Sequence, residues 1–138
     1  MRSATPSLYF QNKAARILED PAGLLRVIWS AEERDQLTFR AVFNHMVQAL
    51  QRHGWSKILV DQRQMRAFSA AEQHWVVQEW LPRAVQEGGY RYGSVLVAED
   101  VFTRLATAYI TTSVQNLPLV YRTFSDEASA LQWLLLQP

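Results

Sequence analysis

Hydrophobic and polar residues alternate in two distinct rhythms along this chain. The two-residue rhythm comes first: Ala15 to Glu19 and Leu24 to Trp29 read as strands, with Asp20-Pro21-Ala22-Gly23 between them. Proline fixes φ and glycine supplies the permissive position, so the pair reads as a hairpin. A short stretch around Leu8 to Phe10 reads as a further strand. Ser30-Ala31-Glu32-Glu33 then has the form of a capping box. Behind it Phe39, Val42, Phe43, Met46 and Leu50 fall on one helical face, to about Arg52, with Gly54 as terminator.

The pattern then repeats. Lys57-Ile58-Leu59-Val60, ending at Asp61, reads as a buried parallel strand. Ser69-Ala70-Ala71-Glu72 is a second capping box, and its helix places Val76, Val77, Trp80 and Ala84 inward until Pro82 kinks or ends it. Gly88-Gly89 closes the unit. Ser94 to Ala98 is the next strand, and Asp100 the expected N-cap of a helix whose inward stripe is Phe102, Leu105, Ala106, Tyr109 and Ile110. Pro118 marks a break, Leu119 to Phe124 is the last strand, and Ser125 caps a helix with Ala128, Leu131, Leu134 and Leu135 toward the sheet. The expected fold is one α/β domain over residues 1–138, ordered β-β-α-β-α-β-α-β-α. Its sheet is mixed: mainly parallel after an N-terminal hairpin.

Charge and composition narrow the chemistry. Fourteen basic and thirteen acidic residues leave a net charge of +1, without the basic clustering of a nucleic-acid binder. There is no cysteine, which excludes disulfides, thiolate metal sites and cysteine nucleophiles and fits a reducing compartment. Neither a signal-peptide core nor an apolar run long enough to span a membrane is legible, so a cytoplasmic location is expected. His45, His53 and His74 carry no metal-ligand spacing, and neither a Gly-rich phosphate loop nor GXSXG occurs. No cofactor and no catalytic residue are assigned.

Right-handed β-α units gather strand carboxyl ends and helix amino ends on one edge, where open α/β sheets bind ligands. That edge is expected to carry Ser30, Asp61, Arg63, Arg66, Ser69, Asp100 and Ser125. The serines read first as caps and Asp61 as a loop tie; with Arg63 and Arg66 they read alternatively as an anion pocket. Carboxylates near Asp61 and Asp100 would serve a small hydrolytic enzyme if they converged. Five tryptophans read as core groups or as anchors for a partner.

KILVDQRQMRAFSAAE, GSVLVAEDVF and VYRTFSDEASALQWLL together resemble SpoIIAA-like, or STAS-like, proteins, over most of the chain and especially Trp55 to Leu136. The resemblance implies a mixed sheet with helices and a regulatory domain that binds a protein partner. In anti-sigma-factor antagonists of this kind, a serine at the start of the second helix is phosphorylated by a kinase partner. Asp61-Gln62-Arg63 matches the strand-end element, but Ala70 occupies the acceptor position and Ser69 the preceding aspartate position. Ser69 beside Arg66 is the remaining candidate for modification. Some lipid-carrier domains share this architecture, which makes Trp75, Trp80, Phe102 and Tyr109 candidate walls for an apolar ligand. The expected role is therefore a non-enzymatic regulatory or interaction domain that meets a protein partner through the Asp61, Arg66 and Ser69 edge and the adjoining helix, self-association included, with lipid-like ligand binding as the alternative.

Overall fold

The hairpin at Asp20–Gly23 sets the direction of everything after it. A computed structural model describes residues 5–114 and 116–138. The strands are β1 (Ser7–Gln11), β2 (Ala15–Asp20), β3 (Leu24–Trp29), β4 (Lys57–Asp61), β5 (Tyr92–Leu96) and β6 (Val120–Phe124). They form one sheet in sequential order. β1, β2 and β3 pair antiparallel, and β3 through β6 run parallel. In the turn, Gly23 adopts φ 97° and its amide donates to the Asp20 carbonyl at 2.9 Å, a geometry that other residues enter only with strain. β1 is a strand in its own right, and β5 begins two residues earlier than the apolar run suggests, at Tyr92.

The helices are α1 (Gln36–His53), α2 (Ala70–Trp75), α3 (Leu81–Gln86), α4 (Val101–Thr112) and α5 (Glu127–Leu135). The capping box at Ser30 does not form. The Ser30 hydroxyl donates instead to the Lys13 carbonyl across the hairpin, and α1 starts five residues later on Asp35, which accepts from the Thr38 amide at 2.7 Å. The Ser69–Glu72 box is present in both directions. Pro82 does not end the helix, which continues to Gln86. It lacks the N–H for a normal helical bond, and the preceding turn, Val76–Trp80, widens into a π-helix in which Leu81 N–H reaches the Val76 carbonyl.

Right-handed crossovers along a sequentially ordered sheet keep the crossover helices on one face. The first four helices cover that face, burying Phe39, Val42, Phe43, Met46 and Leu50 of α1 with Trp29, Ile58, Trp80 and Tyr90. α5 crosses to the opposite face and packs Ala130 and Leu134 on Leu24, Leu59 and Leu96. Ala128 and Leu135, expected to point inward from α5, are exposed, while Leu131 packs at the edge of this cluster. Among the described residues, no helix is long and apolar enough to cross a membrane.

Candidate functional site

Because β3 to β6 are parallel, Ser30, Asp61, Asp100 and Ser125 follow strand carboxyl ends that share one rim. Most of its polar groups are engaged internally. Asp61 accepts from the Arg63 guanidinium at 3.0 and 2.8 Å and from the Arg63 amide at 3.0 Å. Burial raises the Asp61 carboxyl, but these bonds and the Arg63 charge outweigh it and hold the pKa below the ordinary value. Arg63 also approaches Glu127 at 3.6 Å, and Glu127 in turn meets Arg26, which is paired with Asp20 at 2.7 Å. The chain of charges therefore clamps the start of α5 to the far side of the sheet.

Arg66 turns elsewhere. It donates to the Ala31 carbonyl at 2.7 Å and lies 3.7 Å from Glu33, so it and Arg63 serve separate partners. Ser69 is the cap of α2 and accepts from the Glu72 amide. Arg34, which sequence reading passed over, is the buried guanidinium of this corner: it forks onto Glu72 at 2.9 and 2.8 Å and lies over Trp29 and Phe39. Asp100 caps α4 through the Thr103 amide and hydroxyl, and those bonds lower its pKa. Ser125 is not the cap of α5; Asp126 takes that role, accepting from the Ser129 amide at 2.8 Å. Among the described residues, no three histidine, aspartate or glutamate side chains gather as a metal site.

Beneath the rim lies a cavity of about 40 Å³, bordered by Trp80, Tyr90, Gln62, Thr107 and Tyr121. Among the described residues the fully buried Tyr90 hydroxyl has no hydrogen-bond partner; burial, and after it the neighbouring Tyr121, drives its pKa well above the ordinary value. Burial pushes the Tyr121 hydroxyl up to about 12. Of the expected wall residues only Trp80 borders this space. Trp75 instead packs edge-on to Phe39 and Phe43 under Arg40.

The main departure is α4. Its inward side is Thr103, Ala106, Thr107 and Ile110. The Thr103 hydroxyl, whose proton goes to Asp100 at 2.9 Å, lies 3.3 Å from the Met65 carbonyl, and Thr107 donates to Gln62 Oε1 at 2.5 Å. Phe102 and Tyr109, expected as walls, face out at 73 % and 54 % exposure, and Val101 and Leu105 join them at 57 % and 63 %. Helical spacing alone cannot say which of two adjacent stripes faces in; here Asp100 and Gln62 decide it, because each holds an inward threonine. A groove of about 440 Å³ runs along α4 between Val97, Leu105 and Thr123. No protein-family model and no curated protein matches the sequence of this chain.

Proposed function

We propose that this chain is a non-enzymatic protein-interaction domain of SpoIIAA-like kind that docks its partner on the outward face of α4, beside the strand carboxyl rim. The observation that carries the reading is the inverted polarity of α4. Thr103 and Thr107 turn their hydroxyls inward beside Ala106 and Ile110, while Val101, Phe102, Leu105 and Tyr109 stand in solvent. Scattered apolar residues on a surface need no explanation, but a contiguous patch of four on one helix marks an interaction site.

The rim supports binding rather than chemistry. Asp61, Asp100 and Asp126 are hydrogen-bonded and held low, which keeps them ionised and poor as general acids. The interior cavity of about 40 Å³ is far below the roughly 300–1,000 Å³ of a typical ligand pocket, so a lipid-like cargo has no room between the helices and the sheet. The absence of cysteine fits a reducing compartment such as the cytoplasm.

The test is a photoreactive side chain at position 105, introduced in the source cells, with position 48 on exposed α1 as control. The reading expects protein adducts at 105 and few at 48. Equal yields at the two positions, or lipid adducts alone at 105, overturn it.

A further inference from the structure

Four outward residues of α4 fall at Val101, Leu105, Ala108 and Thr112, a 4-3-4 spacing. That is the seam spacing of helices that pack side by side. Phe102 and Tyr109, seven apart, make a ridge along one flank of the seam, and the groove bordered by Val97, Arg104 and Thr123 follows the other flank. We infer that the partner on this face is a second copy of the chain, with the two α4 helices parallel about a two-fold axis. The inference rests on the interaction reading above and names its partner.

The symmetry follows from the ridge and the groove. A two-fold axis parallel to α4 exchanges left and right flanks across the interface, so each ridge enters the groove of the other copy. An axis perpendicular to the helix would set ridge on ridge. In the parallel pairing, the seam register sets Arg104 of one copy beside Tyr109 of the other, a cation–π contact, and Phe102 enters the flank that Val97 borders. The same side chains thus supply both halves of the interface.

Area sets the strength. With aromatic side chains burying roughly 150–250 Å² each, exposures of 73 % and 54 % make about 250 Å² available from Phe102 and Tyr109. Val101, Leu105, Ala108 and Thr112 bring the face to roughly 500 Å² per copy, at the lower edge of specific interfaces. An interface of this size points to a weak, reversible dimer. A membrane is a poorer occupant, since surface helices that lie on bilayers carry a lysine- and arginine-rich polar face. Here Arg104 is the sole cation of α4.

Sedimentation equilibrium of the full chain up to about 0.3 mM reads the association. The wild type is expected to move from monomer to dimer, and Leu105→Glu to stay monomeric with an unchanged circular dichroism spectrum. Phe102→Ser with Tyr109→Ser provides a second disruption at exposed positions. The parallel register is read by Ala108→Cys, which is expected to form an interchain disulfide under mild oxidation because the chain has no other thiol. A wild type that remains monomeric throughout, or Leu105→Glu that dimerises like the wild type, overturns the inference. Adduct identity at position 105 separates the two claims: a different protein captured there sinks the second copy and leaves the interaction reading standing, whereas no protein adduct sinks both.

Discussion

Thr107 donates its hydroxyl to Oε1 of Gln62, and the bond joins the middle of α4 to the residue just past the end of β4. Both side chains are buried, at 3 % and 5 % exposure. A buried acceptor stripped of its donor costs about 1–3 kcal/mol, so Thr107→Val should lower the unfolding free energy by that amount in urea titration. Adding Gln62→Leu should recover part of the loss, because two apolar groups then meet. Equal stability of Thr107→Val and wild type would remove this bond from the account.

Gly93 of β5 sits where the Tyr90 hydroxyl and the Tyr121 ring converge. A Cβ there would lie 2.3 Å from each. Gly93→Ala should therefore destabilise by about 1–3 kcal/mol or more through overpacking. The cost should shrink in a Tyr121→Leu background, since the ring is one of the two obstacles. Additive losses in the double variant would contradict that geometry.

Tyr90→Phe removes a hydroxyl that is buried and, among the described residues, unpartnered, while keeping the ring against Trp80 and Tyr121. Thermal unfolding should show a variant as stable as the wild type or up to about 1 kcal/mol more stable. A clear loss of stability would mean that the hydroxyl has a partner.

Stability should also fall in alkali. Tyr121 titrates at about 12 in the folded chain against an ordinary 10.0, so between these values the folded state holds more protons than the unfolded state. Its contribution is complete below pH 10 and is lost as pH rises through about 12, and Tyr90 moves in the same direction. Asp61 has the opposite sign: its lowered pKa stabilises above the ordinary 3.8 and the contribution is lost as pH falls below it. Urea titrations at stepped pH should show decline at both ends, and a stability unchanged from pH 10 to 12 would contradict the tyrosine assignment.

The sheet and its parallel half were legible because apolar runs such as Lys57–Val60, closed by polar loops, have few other folds open to them. The shared rim of Asp61, Asp100 and Ser125 follows from the same β-α order. Register and capping were less legible. Ser30 and Ser69 carry the same box pattern, yet only Ser69 uses it, since the Lys13 carbonyl competes for Ser30 across the hairpin. Arg34 gave no local signal because its partner, Glu72, is brought near only by the fold. The facing of α4 was misread for a similar reason. Hydrophobicity favoured Phe102, Leu105 and Tyr109 inside, while Thr103 is held by the Asp100 cap and Thr107 by Gln62, which only the fold brings near.

The facing of α4 is measured most directly by thiol labelling, for which a chain without cysteine is a clean background. Single cysteines at Leu105 and at its neighbour Ala106, in dilute protein, should react at very different rates. Position 105 should label nearly as fast as a free thiol, and position 106 only through opening of the structure. Comparable rates, or faster labelling at 106, would turn α4 around and take the interaction surface with it.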